Sequence, residues 1–510
     1  MAKPKTPNQK RKYGELNKRL AKYVMLVESI YEDLNLEAAK IVGITDFTID
    51  RPFMWSDYPQ TRKRIRDLQE RFVEDIGAVI YSGTSEEWKN SNEVQDLLAN
   101  KVLQTYGATI GKEKYEILYQ PNNDALKAFQ QRKDKGFTIS DKLWNQSTLY
   151  KQELEEAISC AIQKGTSAII LSKQISKYLL DFPQLQKDYK ERFGKASRAM
   201  DCEYRSIRLV ASEINMAYRQ AENLRWQQMD FVVGYEIKLS NNHTCNGKPF
   251  QDICDILAGK YPKDFQWTSW HPLCRCYKIP ILKTEEEFWE WDGRNEATTA
   301  SVNEVKDVPD AFKKWVLDNQ ERISTAKKRN TLPYFLRDNK SVYQKITVES
   351  SISEIVKRAS SVGDEVQSIA ERIAIKNGGY VTPINFKSTT SITRKVITEG
   401  ITPYDIKDAV RTTIIVPKSR IEDVLEELYK TEGFLRLKRQ KPESFMVYSG
   451  NIVNIRTTNG LTAEIQVNTE RMIFAKERPE DAKRILGKKR WEEIHNETGM
   501  EGGLGHKYYE

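Results

Sequence analysis

The sequence predicts a multidomain protein with a mainly α-helical N-terminal part, a loop region rich in cysteine and histidine, and a C-terminal α+β domain with a mixed sheet. Residues 1–230 repeat apolar side chains at spacings of three and four, which is typical of packed helices. Residues 345–510 instead alternate such segments with short β-branched runs. The chain has 510 residues, which is more than one hydrophobic core usually organises, so about two to four domains are expected.

Helices dominate the prediction for the N-terminal part. Residues 61–80 carry one apolar stripe, and residues 207–224 keep spacings of three and four without a break. The second pattern is typical of a seam that packs against another helix. Its apolar positions are Ile207, Val210, Ile214, Ala217, Ala221 and Leu224. Both segments are interpreted as core helices without chemistry of their own.

The C-terminal part changes its period repeatedly. Helical periodicity appears at 352–374 and 420–430. Short β-branched or alternating runs predict strands at 410–416, 445–450, 452–458 and 463–468. The predicted organisation is a helical region at 1–200, a Cys/His-rich region at 201–283, a linker at 284–344 and an α+β domain at 345–510.

The charge balance is basic but mixed. The net charge is +9, from 81 Lys and Arg against 72 Asp and Glu. Such a balance permits a polyanionic partner without requiring one. No run of 18 apolar residues occurs, and the basic N terminus lacks the apolar stretch of a secretory signal. We therefore expect no membrane anchor.

Four of the six cysteines lie within 32 residues. In a chain without an export signal, such clustering suggests metal binding rather than disulfides, and zinc takes about four nitrogen or sulfur ligands. The candidate structural zinc ligands are Cys245, Cys254, His271, Cys274 and Cys276. A disulfide- or thiol-rich knot and a Cys–His nucleophile are the alternatives.

The cysteine-bearing stretch also resembles a known family. The runs "LSNNHTC", "DICDILAGKYPKDF" and "WHPLCRC" are similar to Mu F-like phage head morphogenesis (minor head) proteins, whose loop closes with a His-Pro-x-Cys-x-Cys element. The resemblance covers residues 1–283. It implies a protein carried in the virion, in the capsid interior or near the portal, with phage portal and capsid proteins as partners. It also implies a C-terminal effector, which would reach the host cytoplasm after assembly or injection.

Residues 385–395, "NFKSTTSITRK", interleave cations with hydroxyl groups. Point charges and hydroxyl donors of this kind suit a triphosphate, and a solvated basic loop is the alternative. The candidate nucleotide-binding residues in this run are Lys387, Ser388, Ser391, Arg394 and Lys395.

Two carboxylates are the candidate catalytic residues. Asp408 precedes the strand at 410–416, and Arg411 follows three residues on. A carboxylate at a strand edge can hold Mg²⁺, although an ordinary strand-capping Asp explains the pattern too. In "EIQVNT", Glu464 and Gln466 share the polar face of a strand. Glu464 is placed to take a proton from an attacking hydroxyl or to complete the Mg²⁺ site, and Gln466 to orient a nucleotide.

The order of these runs resembles RelA/SpoT-type synthetases, the (p)ppGpp-making pyrophosphokinases with a nucleotidyltransferase-like fold. The matching positions are Lys387, Ser388, Ser391, Ile392, Lys395, Asp408, Glu464, Ile465, Gln466 and Thr469. The resemblance implies that the two lysines bind the phosphates of the donor ATP and that Asp408 binds Mg²⁺. Glu464 would then activate the acceptor ribose 3′-hydroxyl or share the metal. Tyr448 would stack on the acceptor base.

The sequence also departs from that family pattern. Asn385 and Asn468 stand where the family usually has Arg. The Arg usually found after the Asp is displaced, because Arg411 comes early and Thr413 occupies the usual place. The cations that are candidates to compensate are Arg394, Arg411 and Lys476.

Together these patterns predict a phage minor head protein with a toxic C-terminal effector. The effector would transfer pyrophosphate from ATP, with Mg²⁺, to a 3′-hydroxyl. The acceptor stays open among GDP or GTP, an adenine nucleotide and a tRNA 3′ end, and an immunity protein is a candidate partner. One alternative is a purely structural minor head protein with a catalytically inactive C-terminal domain. Another is a nuclease that uses His495 and His506.

Overall fold

The computed structural model describes residues 6–107, 112–162, 166–240, 244–245, 248–290, 300–439 and 450–503. The chain divides into two compact units, Met1–Lys340 and Ser341–Glu510. Within the described ranges, no helix is long and apolar enough to cross a membrane.

The first unit is built mainly from helices. They are α1 (Gln9–Val42), α2 (Arg62–Tyr106), α3 (Lys112–Leu118), α4 (Asn123–Gln131), α5 (Ile139–Ala161), α6 (Ala168–Leu180), α7 (Phe182–Phe193), α8 (Cys202–Gln228), α9 (Ile253–Leu257), α10 (Glu285–Glu290), α11 (Asp310–Asp318), α12 (Gln320–Lys328) and α13 (Tyr334–Arg337). The longest, α2, packs along α1 and α8. The middle of the apolar seam predicted for α8, from Val210 to Ala221, is buried, and a Cβ at Gly83 of α2 would overlap Ile214 of α8. Glycine therefore allows the close approach of these two helices.

A small antiparallel sheet follows α8 in the first unit. Its strand order is β4 (Gly259–Tyr261), β1 (Val232–Lys238) and β5 (Tyr277–Leu282). A separate two-residue pair is formed by β2 (Thr244–Cys245) and β3 (Lys248–Pro249). Residues 310–337, predicted as part of a linker, form α11, α12 and α13. Phe312 and Phe335 of these helices contact the aromatic rings of Phe265 and Trp270.

The second unit combines helices with a mixed sheet. Its helices are α14 (Lys340–Ser361), α15 (Gly363–Lys376), α16 (Thr389–Glu399), α17 (Ile421–Tyr429), α18 (Glu470–Lys476), α19 (Pro479–Leu486) and α20 (Lys488–Thr498). Its strands are β6 (Tyr380–Val381), β7 (Asn385–Phe386), β8 (Val410–Ile415), β9 (Phe434–Lys438), β10 (Asn451–Arg456) and β11 (Thr462–Asn468). The order is β6-β8-β11-β10-β9, with β7 also paired to β8. The β8–β11 pair is parallel and the other pairs are antiparallel. The predicted mixed sheet is thereby confirmed.

The two faces of this sheet differ in chemistry. Successive residues of a strand point to opposite faces, so alternate positions of β8 and β11 divide into two sets. One set is apolar, includes Val410, Ile414, Ile465 and Val467, and belongs to the core with α15 and α17. The other set is polar and carries the predicted site residues of β8 and β11.

Candidate functional site

Asp408 lies between two lysines just before β8. Its Oδ2 accepts a hydrogen bond of 2.6 Å from Lys387 Nζ, and its Oδ1 accepts one of 3.1 Å from Lys395 Nζ. The backbone N–H of Lys387 donates to the carbonyl of Ala409, which continues the β7–β8 pairing and positions this lysine. Lys395 reaches the carboxylate from α16. β7 and α16 therefore bring two lysines, 21 and 13 residues before Asp408 in the chain, to one carboxylate.

The lysines control the ionisation of Asp408. Burial by itself raises the pKa of Asp408, but the hydrogen bonds and charges of Lys387 and Lys395 outweigh it and hold that pKa below its ordinary value. The Asp408 side chain is 14% exposed, so the pair is only partly screened by water. Each ammonium group has three N–H donors and donates one hydrogen bond to Asp408. Donor capacity remains for a second anion such as a phosphate.

Residues 385–395 form a strand end and a helix start rather than a loop. Ser388 caps α16, since its Oγ accepts the backbone N–H of Ser391 at 3.2 Å and lies 2.9 Å from the Ser391 Oγ. The start of a helix presents backbone N–H groups that favour anions. Lys387 immediately precedes this cap, and Arg394 is exposed further along α16. The run therefore places fixed positive potential beside Asp408.

A row of polar side chains crosses the sheet at one register. Arg411 on β8 pairs with Glu464 on β11, and Glu464 pairs with Asn454 on β10. Asn454 in turn pairs with Arg436 on β9, whose Nε donates to Asn454 Oδ1 at 2.7 Å. On the other side, Arg411 pairs with Asn385 of β7. Residues opposite each other on neighbouring strands share a face, so this row forms one surface.

Gln466 extends this surface one step along β11. Its Nε2 donates to Glu464 Oε1 at 2.7 Å, and its Oε1 accepts from Lys476 Nζ of α18 at 2.8 Å. The side chain of Gln466 is buried, and these two contacts fix the orientation of its amide. Lys476 was predicted only as a replacement cation, and its position makes it the residue that orients Gln466.

The three positions that depart from the RelA/SpoT pattern lie in different environments. Asn385 is exposed at the sheet edge beside Arg411, where a longer cationic side chain has room in solvent. Asn468 has no exposed surface, and its carbonyl accepts the N–H of Val416. A guanidinium at 468 would have to be desolvated at considerable cost. Thr413, the third departure, is nearly buried, and its N–H donates to Thr382 Oγ1.

The sequence singles out three further residues of the second unit. Tyr448 and His506 lie outside the described residues. His495 donates from Nδ1 to the carbonyl of Met500 at 2.5 Å and stacks on Trp491 with ring centroids 5.1 Å apart. These contacts give His495 a structural use at the end of α20, which does not favour the nuclease hypothesis.

A cavity of about 760 Å³ lies elsewhere in the second unit. Its lining comes from α15, the end of α17 and the residues around Arg456, and includes Arg372, Lys376 and Lys430. None of the predicted site residues lines it. The polar row is the stronger candidate, because Glu464 is in register with Arg411 there and Asp408 with its two lysines precedes the same strand, whereas Lys376 and Lys430 of the cavity pair with Glu427 and Glu426.

The cysteine cluster of the first unit is only partly described. Cys254, His271 and Cys274 place their ligand atoms within 4.8 Å of one another. The side chain of Cys245 lies outside the described residues. The predicted ligands Cys254, His271 and Cys274 are thus brought together, while the predicted role of Cys245 stays a prediction.

Comparisons with known proteins bear on a minority of the chain. No family model matches it. The (p)ppApp synthetase toxin Tas1 of Pseudomonas aeruginosa (strain UCBPP-PA14) is 32% identical over 154 residues, which are 30% of this chain and 35% of Tas1. The chain therefore spans about a third of the length of this curated relative.

A solved structure is matched as well. It is the crystal structure of the complex between the Type VI effector Tas1 and its immunity protein, with 32% identity, 31% of this chain and 82% of that chain covered, and a TM-score of 0.29. About 30% of the chain is thus homologous to Tas1. The comparisons give no support to the resemblance of residues 1–283 to phage head proteins.

Proposed function

We propose that the second unit transfers a pyrophosphate group from ATP to the 3′-hydroxyl of an adenine nucleotide, and that the protein acts as a toxin through this reaction. The observation that carries the proposal is the position of Asp408 between Lys387 and Lys395, ahead of the strand on which Arg411 stands in register with Glu464. Of the acceptor classes left open by the sequence, the adenine nucleotide is supported by the name of the relative, a (p)ppApp synthetase.

The proposed reaction is a displacement at the β-phosphorus of ATP. The acceptor 3′-oxygen forms a bond to that phosphorus, and the bond to the oxygen bridging the α- and β-phosphorus breaks. AMP leaves with that oxygen, and the acceptor hydroxyl loses its proton to the Glu464 carboxylate. Transfers of this kind are accelerated mainly by positioning and by neutralising phosphate charge. Lys387, Lys395 and Arg411 supply that charge here.

The donor set around Asp408 fits Mg²⁺. Magnesium in proteins is usually held by one or two carboxylates together with phosphate oxygens of the substrate. Asp408 would supply the carboxylate, and the ion, when bound, would neutralise phosphate charge. The ammonium groups of Lys387 and Lys395 are satisfied by phosphate oxygens as well as by a carboxylate. Binding of the donor would therefore release the oxygens of Asp408 for the cation.

In this proposal the acceptor binds beside Glu464 and Gln466. Glu464 Oε1 accepts from Gln466, whose own oxygen is held by Lys476. An amide held in this way presents a defined donor and acceptor to a ribose or a base. Glu464 then serves as general base, with its orientation fixed by the same hydrogen bond.

The proposed toxin role implies a protein partner that blocks the activity. Transfer to adenine nucleotides consumes ATP together with its own acceptor pool, so unregulated activity would arrest growth. The Tas1 structure is a complex with its immunity protein. We propose a corresponding immunity protein for this chain, which would cover the polar row. Localisation in a virion and contacts with portal or capsid proteins stay predictions of the sequence alone.

The test uses the full chain with γ-labelled ATP, Mg²⁺ and, in turn, ADP, ATP, GDP, GTP and bulk tRNA. Label should move to an adenine nucleotide with release of AMP, and this transfer should be lost in Glu464→Gln. The matched control is Glu497→Gln, an exposed carboxylate that pairs with Arg471 on the surface. Transfer only to GDP, GTP or tRNA would refute the adenine acceptor. No transfer by the folded protein would refute catalysis and favour the structural alternative.

A further inference from the structure

Three thiols and one imidazole converge in the first unit. Cys254 lies in α9, and His271 and Cys274 lie in the loop between β4 and β5. The Sγ of Cys254 is 3.1 Å from His271 Nε2 and 3.8 Å from Cys274 Sγ. Cys276 directly precedes β5, two residues after Cys274, and its buried thiol is close enough to those of Cys254 and Cys274 to interact with them electrostatically. The sequence segments on either side of β4 therefore meet in one cluster.

The cluster has the composition and spacing of a metal site. Cys254, Cys274 and Cys276 are at most 2% exposed, and all three are free thiols. Four sulfur and nitrogen ligands are what a structural zinc ion takes, with Zn–S distances of about 2.3 Å. In a tetrahedron of that size two sulfur atoms lie roughly 3.8 Å apart. The Cys254–Cys274 separation has this value.

The imidazole is held in the orientation that a metal needs. His271 Nδ1 lies 2.7 Å from the carbonyl oxygen of Pro272, which can only accept, so the proton sits on Nδ1. The lone pair of Nε2 then faces the thiols, which is the arrangement seen for metal-bound histidines. Asp252 Oδ2 is 3.3 Å from the same nitrogen, and an ion pair with Asp252 is the competing use of the imidazole.

Hydrogen bonds from α8 hold the loop that carries the ligands. Arg219 is fully buried, and its Nη2 donates to the carbonyls of Cys274 at 2.9 Å and Cys276 at 2.6 Å. Asn215 Nδ2 also donates to the Cys274 carbonyl, at 2.8 Å. Leu273 has a φ of +62°, a conformation that a branched side chain rarely adopts. A strained residue between two candidate ligands, held by buried hydrogen bonds, indicates a preformed site.

We propose that Cys254, His271, Cys274 and Cys276 bind one Zn²⁺ ion in a tetrahedral structural site. Four protein ligands leave no position for water or substrate, which distinguishes a structural zinc from a catalytic one. The ion would tie α9 to the start of β5 and hold the loop between them. All four ligands belong to the first unit, so the inference stands apart from pyrophosphate transfer.

The test measures zinc in the full chain purified under reducing conditions, without a histidine tag or chelator. Elemental analysis should find about one zinc per chain in the wild type and in the control Cys160→Ser, a half-buried cysteine outside the cluster. Cys274→Ser and Cys276→Ser should each lower the zinc content at least severalfold. Zinc retained in full by either variant would refute this ligand set.

A second measurement covers the case in which a cysteine variant fails to fold. Zinc is removed from the wild type with a chelator and replaced by Co²⁺. The intense visible absorption of tetrahedral cobalt with three thiolates is expected, and zinc should displace it. A wild type without zinc, or one whose cobalt spectrum is octahedral, would overturn the proposal. A mass decrease from a disulfide among these cysteines would do so as well.

Discussion

Lys387 donates a 2.6 Å hydrogen bond to Asp408, and Lys395 occupies the other oxygen of the same carboxylate. The structure thus holds two positive groups together by means of one negative group. Such an arrangement keeps both ammonium groups in place before a polyanion arrives, so little reorganisation is needed when it binds. It also makes the stability of this part of the sheet depend on the charge of Asp408.

Asp408→Asn should lower the stability of the second unit in a pH-dependent way. The lysines depress the pKa of Asp408 in the folded protein. The contribution of the carboxylate is therefore fully present above the unfolded pKa of about 3.9 and is lost as the pH falls through the lower folded value. We expect a loss of about 1–3 kcal/mol near pH 7 that shrinks near pH 3. Urea unfolding of both proteins at the two pH values measures this.

The matched control for that comparison is Asp423→Asn. Asp423 pairs with Arg420 at 2.8 Å on the surface, where an ion pair contributes little. This variant should differ from the wild type by no more than about 0.5 kcal/mol at either pH, the contribution of its charge at the start of α17. An Asp408→Asn deficit that stayed the same at both would mean that the carboxylate acts through packing and not through charge.

Arg411→Ala should impair transfer without unfolding the sheet. Arg411 is the exposed cation in register with Glu464, and removing one charge-assisted contact to a phosphate costs about 1.5–3 kcal/mol. That corresponds to roughly a 10- to 150-fold loss in kcat/KM for ATP. Arg456→Ala is the control, because Arg456 is an exposed arginine on β10 that lines the separate cavity. Equal losses of kcat/KM in the two variants would refute the assignment of the polar row to the active site.

The strands with one continuous apolar face could be predicted from the sequence. The β-branched run at 410–416 appears as Val410–Ile415, and the alternating run at 463–468 appears as Thr462–Asn468. These patterns can be recognised in the strand's own sequence, because one face of the strand must enter the core whichever strands it pairs with. The strand Phe434–Lys438 was missed, since only part of it is shielded and three of its five residues are exposed.

The site itself could be predicted only in part. The carboxylates and lysines were found through their order in the chain, but the contact of Lys387 with Asp408 depends on the pairing of β7 with β8. β7 has only two residues, which is too short for an alternating pattern, so it could not be predicted from the sequence. Ser388 caps the start of α16 within the basic run at 385–395. A serine ahead of a helical segment is a known helix-start pattern, so the cap could have been predicted from the sequence.

The two asparagines that stand where RelA/SpoT-type synthetases usually have arginine should respond differently to an arginine substitution. Asn385→Arg places a guanidinium at an exposed edge beside Arg411, and we expect it to lower the KM for ATP about fivefold through one added phosphate contact. Asn468→Arg buries a charge at a position without exposed surface and should destabilise the unit by about 3 kcal/mol or more. ATP kinetics and thermal melting of both variants give the result. A stable Asn468→Arg protein would show that the end of β11 can open.

Glu203 makes a separate prediction for the first unit. It lies in the first turn of α8, and burial, together with the charges of Glu28, Asp201 and Glu32, raises its pKa to about 7. A carboxyl with a raised folded pKa destabilises the fold increasingly as the pH rises from the unfolded value of about 4.3 towards 7. Glu203→Gln should therefore stabilise the unit by about 1–2 kcal/mol near pH 8 and have almost no effect near pH 4.

Thermal melting of the wild type and Glu203→Gln at these two pH values checks this prediction. Glu191→Gln serves as the control, because Glu191 is exposed on α7 and should leave the melting temperature unchanged at both. The loss of a negative charge at the start of α8 works in the opposite direction, by about 0.5 kcal/mol, because the helix dipole favours anions there. A gain that survives this penalty at pH 8 but not at pH 4 identifies carboxylate crowding as its cause. A gain of equal size at both values would instead assign it to packing of the amide.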